Sequence, residues 1–144
     1  MTIEQYEDAT LVGRRATLDE LHALAESVGW LDHFDWSTIG QSLEATLHGV
    51  VAVRDGETVG MARLLGDGVK YFMIHDVLVH PDHQGDGLAA RLVEHLLEHV
   101  ALVAPSRAWV GLFASPEAEH LYAEHGFGSD DMRGMWRWVE PGAA

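Results

Sequence analysis

The sequence predicts one mixed α/β domain over residues 1–144, a mostly antiparallel sheet flanked by about four helices. Three observations carry this. Strand-like apolar runs from Val50 to Val79 are punctuated by Asp55-Gly56 and Gly66-Asp-Gly68, so consecutive strands should turn back on one another. A helical apolar stripe from Leu88 to Ala101 stands between two such runs, the pattern of a helix crossing between sheet strands. At 144 residues, 47% apolar and 22% charged, the chain has the length and composition of one packed core and is not a disordered segment.

Taken in order, Thr17-Leu-Asp-Glu20 reads as an N-cap with its acid three residues on. Leu18, Leu21, Leu24, Ala25 and Val28 follow at helical spacing up to Gly29. A second short helix is expected from Ser37 to about Leu47, with Ile39, Leu43 and Leu47 on one face. Val50–Val53, Thr58–Leu65 and Lys70–Val79 read as three successive strands. The helix from Leu88 sets Leu92, Val93, Leu96, Leu97 and Val100 against a face of Arg91, Glu94, His95, Glu98 and His99. Ala108–Phe113 reads as a strand, Ser115-Pro116 as the cap and first position of a last helix to about His125, and Met132–Val139 as a closing strand.

Composition excludes several classes of function. With no Cys there is no disulfide, no thiolate metal site and no cysteine nucleophile. With 23 acids against 9 bases and no basic stripe, the chain should not bind nucleic acid. The longest apolar run, Val100–Ala104, is far short of a membrane span. The acidic start Met1–Asp8 lacks the regions of a signal peptide, so a cytoplasmic location is expected. The acidity fits a salt-adapted source as well as attraction of a cationic substrate.

The sharpest local signal runs from Val77 to Ala90: an apolar strand, a turn with Gly85 and Gly87, and at once the longest helix. Backbone N–H groups at a helix start form an anion site, and glycine lets a phosphate approach them. Two glycines also serve a plain tight turn. No Gly-Lys-Ser/Thr or third glycine supports a nucleotide triphosphate or dinucleotide loop, and Gly-x-Ser-x-Gly is absent.

The register of this turn is more specific. Gln84-Gly-Asp-Gly-Leu-Ala89, preceded by Val79-His-Pro81, resembles the Gln/Arg-x-x-Gly-x-Gly/Ala signature of the GNAT superfamily of acetyl-CoA-dependent N-acetyltransferases. Ala118-Glu-His-Leu-Tyr-Ala-Glu-His-Gly-Phe127 resembles that family's second segment. The resemblance implies that backbone amides of Gln84, Gly85, Asp86, Gly87, Leu88 and Ala89 hold the CoA pyrophosphate. It also implies that the preceding strand, around Val77 to Val79, is bulged and pairs with pantetheine, and that Leu78 or Val79 supplies an oxyanion N–H. Tyr122 takes the place of the tyrosine that protonates the departing thiolate. Where many members carry Asn at the head of the last helix, this chain has Ser115, a different group facing the cofactor.

His75 and Asp76 lie just before the implied bulge, and alternation along a strand lets only one face a given cleft. Asp76 is read as an acceptor-site group and His75 as a competing base; either could equally be a buried, hydrogen-bonded strand residue. His95 and His99, at metal-pair spacing beside Glu94 and Glu98, read as a solvated face, and no metal is expected. The family's loop between the first two helices covers the acceptor side. Here Trp30, Phe34 and Trp36 offer ring faces and Asp32 and Asp35 charge for a small cationic amine, or else these aromatics plug the core and the acids belong to the general acidic surface. The expected function is direct acetyl transfer from acetyl-CoA to a primary amine. The rival is a non-catalytic acyl-CoA-binding sensor, and assembly as a monomer or homodimer stays open.

Overall fold

The computed structural model describes residues 9–142, which fall into two units, one up to Leu112 and one from Phe113 onward. The acidic segment Met1–Asp8 lies outside the described residues.

In the first unit a five-stranded sheet runs in the order β1 (Thr10–Val12), β2 (His48–Arg54), β3 (Glu57–Gly66), β4 (Tyr71–Val79), β5 (Trp109–Gly111). All neighbours are antiparallel except β4 and β5, which are parallel and joined through helix α3 (Leu88–Val103). The β2–β3 hairpin turns on Asp55 (φ 51°) and Gly56 (φ 79°), the positive-φ pair that its sequence announced. The next turn is held by Asp67, whose Oδ1 accepts the backbone N–H groups of Val69, Lys70 and Tyr71.

Helix α1 (Leu18–Val28) begins in a full capping box. The Glu20 N–H donates to Thr17 Oγ1 at 3.1 Å, and the Thr17 N–H donates to Glu20 Oε1 at 2.8 Å. It ends on Gly29 at φ 77°. Helix α2 (Ile39–Glu44) is shorter than expected at both ends. The Thr38 and Ile39 N–H groups both close on the Asp35 carbonyl, and the Leu47 N–H donates to Leu64 O, which commits Leu47 to the sheet.

Two apolar layers result. Leu21, Leu24 and Leu43 from α1 and α2 pack with Val51, Met61 and Leu78 on one face. Helix α3 packs across β2, β3 and β4 on the other, burying Leu92, Val93 and Leu96. The edge strand β1, paired to Val51–Val53, was not anticipated; three residues carry too little alternation to announce themselves. The strand expected over Ala108–Phe113 contracts to Trp109–Gly111.

The second unit departs furthest from expectation. Ser115 does not cap a helix with its hydroxyl. Its carbonyl accepts the Ala118 N–H at 3.0 Å, closing a turn over residues 116–118, and helix α4 (Glu119–Glu124) starts only after it. Residues 132–139 form no strand. Met132, Met135, Trp136, Trp138 and Val139 are all exposed, and weak alternation alone does not make a strand.

Candidate active site

The site begins with an irregularity in β4. Met61 opposes Leu78 and Arg63 opposes His75, so Ala62 alone faces both Asp76 and Val77. This is a bulge, and Asp76 occupies it at φ 53°, a conformation that Asp tolerates better than most residues.

The bulge undoes the alternation that would have separated His75 from Asp76. Directly opposed residues share a face, so His75 lies on the face of Arg63. The Asp76 carboxylate reaches the same guanidinium, with Arg63 Nε donating to Asp76 Oδ2 at 2.6 Å. Asp76 is therefore already neutralised by a buried cation. The His75 imidazole is pushed down by burial, pulled up by the Asp76 carboxylate and pushed down again by Arg63, with a net fall below the ordinary histidine value.

Beyond the bulge β4 recovers its pairing with β3. The His80 N–H donates to Val59 O at 2.8 Å, and N–H direction alternates along a strand, so the Leu78 amide points to β3 and the Val79 amide points away. On that other side β5 pairs only with Tyr71–Met73. Of the two amides expected to face an acetyl carbonyl, Val79 has the open edge and Leu78 does not.

The chain then turns through a short 3₁₀ segment, Pro81–His83, whose head is closed by the Asp82 N–H donating to His80 Nδ1. The Gln84 amide donates to Val79 O at 3.0 Å and ties the turn to the strand end. Gly85 (φ 90°) and Gly87 (φ 86°) lead into α3; no side chain caps that helix, and its first turn holds no acid. Gly85, Asp86 and Gly87 are exposed, and a Cβ built on either glycine meets no atom within 4 Å. Open space in front of uncapped amides suits a pyrophosphate.

The aromatic linker between α1 and α2 divides. Phe34 and Trp36 pack against the α1–α2 core, and Trp36 Nε1 donates to Leu31 O at 2.9 Å. Asp35 is exposed, and its carboxylate accepts the Ser37 hydroxyl and N–H, bonds that lower its pKa. Trp30, stacked on His33 at 5.0 Å, keeps an exposed ring.

In the second unit Tyr122 is the buried residue of α4, edge-on to Phe127 at 6.0 Å, and burial pushes its phenol above the ordinary value. Ser115 in the same unit is exposed.

Two groupings escaped the sequence. Arg63 could have been found, since a lone cation inside Val59-Gly-Met-Ala-Arg-Leu-Leu65 must find partners if that strand is buried. His95 and His99 are not a solvated face: His48, at the start of β2, stacks on His99 at 3.7 Å between ring centres and meets His95 Nε2 at 3.0 Å. Sequence distance hid that partner. Among the described residues no group of three His, Cys, Asp or Glu side chains is disposed to hold a metal ion, and no helix is long and apolar enough to cross a membrane.

Residues 15–127 match the model of the acetyltransferase (GNAT) family. An uncharacterized N-acetyltransferase of Pyropia yezoensis is 29% identical over 85% of this chain and 72% of its own length. The chloroplastic GCN5-related N-acetyltransferase 1 of Arabidopsis thaliana is 31% identical over 92% of this chain and 70% of its own. A GNAT-family acetyltransferase structure from Streptococcus pneumoniae superposes with a TM-score of 0.77 at 24% identity, covering 92% of this chain and 98% of that one. With the bulged strand, the glycine turn and the Tyr122 segment in family order, this chain belongs to the GNAT family of acetyltransferases.

Proposed function

We propose that this chain, as one domain over residues 1–144, is a cytoplasmic N-acetyltransferase that moves acetyl from acetyl-CoA to a primary amine of a small cationic molecule. The observation that carries the reading is the sequence of bulge, open β4 edge and uncapped glycine turn, because each meets a separate demand of a thioester that ends in a pyrophosphate.

Acetyl-CoA supplies an activated acyl group when bound. The amides from Gln84 to Ala89 hold its pyrophosphate, and the free edge of β4 pairs with its amide-bearing arm. The Val79 N–H stabilises the oxyanion that forms when the amine attacks the carbonyl. His75 takes the ammonium proton, directly or through water, since burial keeps its imidazole neutral at pH 7. Asp76, engaged by Arg63, contributes charge on the acceptor side rather than a free basic group. The part of Tyr122 rests on the family resemblance alone: its phenol, pushed above its ordinary value by burial, is the proton donor to the thiolate as the C–S bond breaks. Direct attack is favoured because there is no Cys to carry an acyl group. Trp30 offers the ring face for the cation, and Phe34, Trp36 and Asp35 shape the loop around it.

The test is free-thiol release from acetyl-CoA over a panel of amines, polyamines and peptides, with CoA binding followed by calorimetry. Amine-dependent release is expected. Tyr122→Phe should lower kcat by about 10²–10⁴-fold with little change in KM for acetyl-CoA. CoA binding with no turnover over the whole panel would favour a non-catalytic sensor.

A further inference from the structure

Arg63 is the charged residue that this fold buries most completely among the described residues, at 5% exposure. All of its guanidinium nitrogens are engaged: Nε donates to Asp76 Oδ2 at 2.6 Å, Nη1 to Ser42 O at 3.0 Å and Thr46 Oγ1 at 3.1 Å, and Nη2 to Ser42 Oγ at 3.0 Å. Thr46 is 1% exposed. A guanidinium is a planar, rigid fork, so these bonds together leave it one orientation. One end of the fork is fixed to the end of α2 and the segment after it, and the other to the residue that makes β4 bulge. Across the ladder Arg63 stands directly opposite His75.

We infer that Arg63 is the positioning residue of the transfer site: it clamps the Asp76 carboxylate, keeps the bulge in its left-handed conformation and so sets the orientation of His75 and of the Val79 amide. This rests on the acetyltransferase reading above. Without the clamp, Asp76 would be a carboxylate with no buried counter-ion in a conformation that costs backbone energy, and the strand would gain by relaxing toward a regular register. The amides of the glycine turn are several residues further along and do not depend on it. The clamp therefore acts on the chemical step and on the acceptor side, not on CoA affinity. The charged groups bearing on His75 are Asp76 on its own strand, which raises its pKa, and Arg63 on β3, which lowers it.

The experiment compares wild type with Arg63→Lys, which keeps the charge and loses the fork, and with Arg63→Met/Asp76→Asn, which removes both charges and is less prone to unfold. For folded Arg63→Lys, kcat should fall about 10- to 100-fold, the scale of an ångström-sized misplacement, while the CoA dissociation constant stays within about twofold. In both variants the backbone amide resonances of His75 and Val79, followed by NMR, should move from their wild-type positions as the bulge relaxes. A folded Arg63→Lys with wild-type kcat, or His75 and Val79 amides unmoved in both variants, would overturn the clamp. Failure of the functional reading looks different: wild type would release no thiol with any amine, while the displaced amides of the variants would still register the clamp.

Discussion

Gly87 is where backbone conformation and ligand chemistry meet most directly. At φ 86° it stands in a region that a β-branched residue enters only with strain, and the space beside it is empty. Gly87→Val should therefore leave the core intact but re-aim the first amides of α3. Calorimetry should show CoA affinity reduced by about tenfold or more, the effect of losing one or two charge-assisted bonds. Wild-type affinity in a variant with a native circular dichroism spectrum would misplace the cradle. Its neighbour Asp86 puts an exposed negative charge beside the same amides. Removing that charge in Asp86→Asn should tighten CoA by about two- to fivefold at low salt, the range of exposed charge interactions.

At the scale of elements, the contact of β2 with α3 carries a pH dependence. The His48 imidazole is lowered to about 4, first by burial and then by His99 and His95. Above pH 6.5 it is neutral whether the chain is folded or not. Between 6.5 and about 4 the unfolded chain takes up a proton that the folded one refuses, so stability falls through this window and levels off below it. Glu20, held down to about 2 by Arg14, Thr58 and the α1 cap, works in the same sense lower, its contribution fading from about 4.5 toward 2. Thermal melts from pH 7 to 4 should show His48→Gln losing less than wild type, by about 1 kcal/mol after solvent screening, or about 2–4 °C. Equal slopes would assign the pH dependence to other groups. The same elements show what a sequence can display. Capping at Thr17 and Glu20, the Gly29 stop, the Asp55-Gly56 turn and the α3 stripe are local chemistry, legible within a few residues, as is the register of the glycine turn. That β4 bulges came with the family resemblance, but the seat of the bulge at Asp76, the short strand β1 and the stacking of His48 on His99 are made by partners far away in the chain. Alternation at residues 132–139 promised a strand that the structure does not form.

The whole molecule carries a formal charge of −14, and its two proposed substrates have opposite charges. The field should attract a cationic amine and oppose anionic CoA, which must be captured by short-range amide contacts instead. Raising ionic strength from about 0.01 to 0.15 M shortens the screening length from about 30 to 8 Å. The KM for a cationic amine should rise severalfold over this range, and that for acetyl-CoA should fall or hold. Initial rates at both ionic strengths, with a neutral amine as control, test this. A cationic amine whose KM ignores salt would leave the acidity without a part in acceptor capture.

The free edge of β4 also has a solvent chemistry of its own. In a strand paired on one side only, neighbouring amides meet water on very different terms. The Leu78 and His80 N–H groups are turned into the ladder with β3, whereas the Val79 N–H looks outward past the end of β5. Deuterium should enter Val79 quickly and its two neighbours slowly, an alternation in exchange rate along three consecutive residues. Adding CoA should slow the fast position while scarcely changing the slow ones, so the strand itself reports, amide by amide, when its missing partner has arrived.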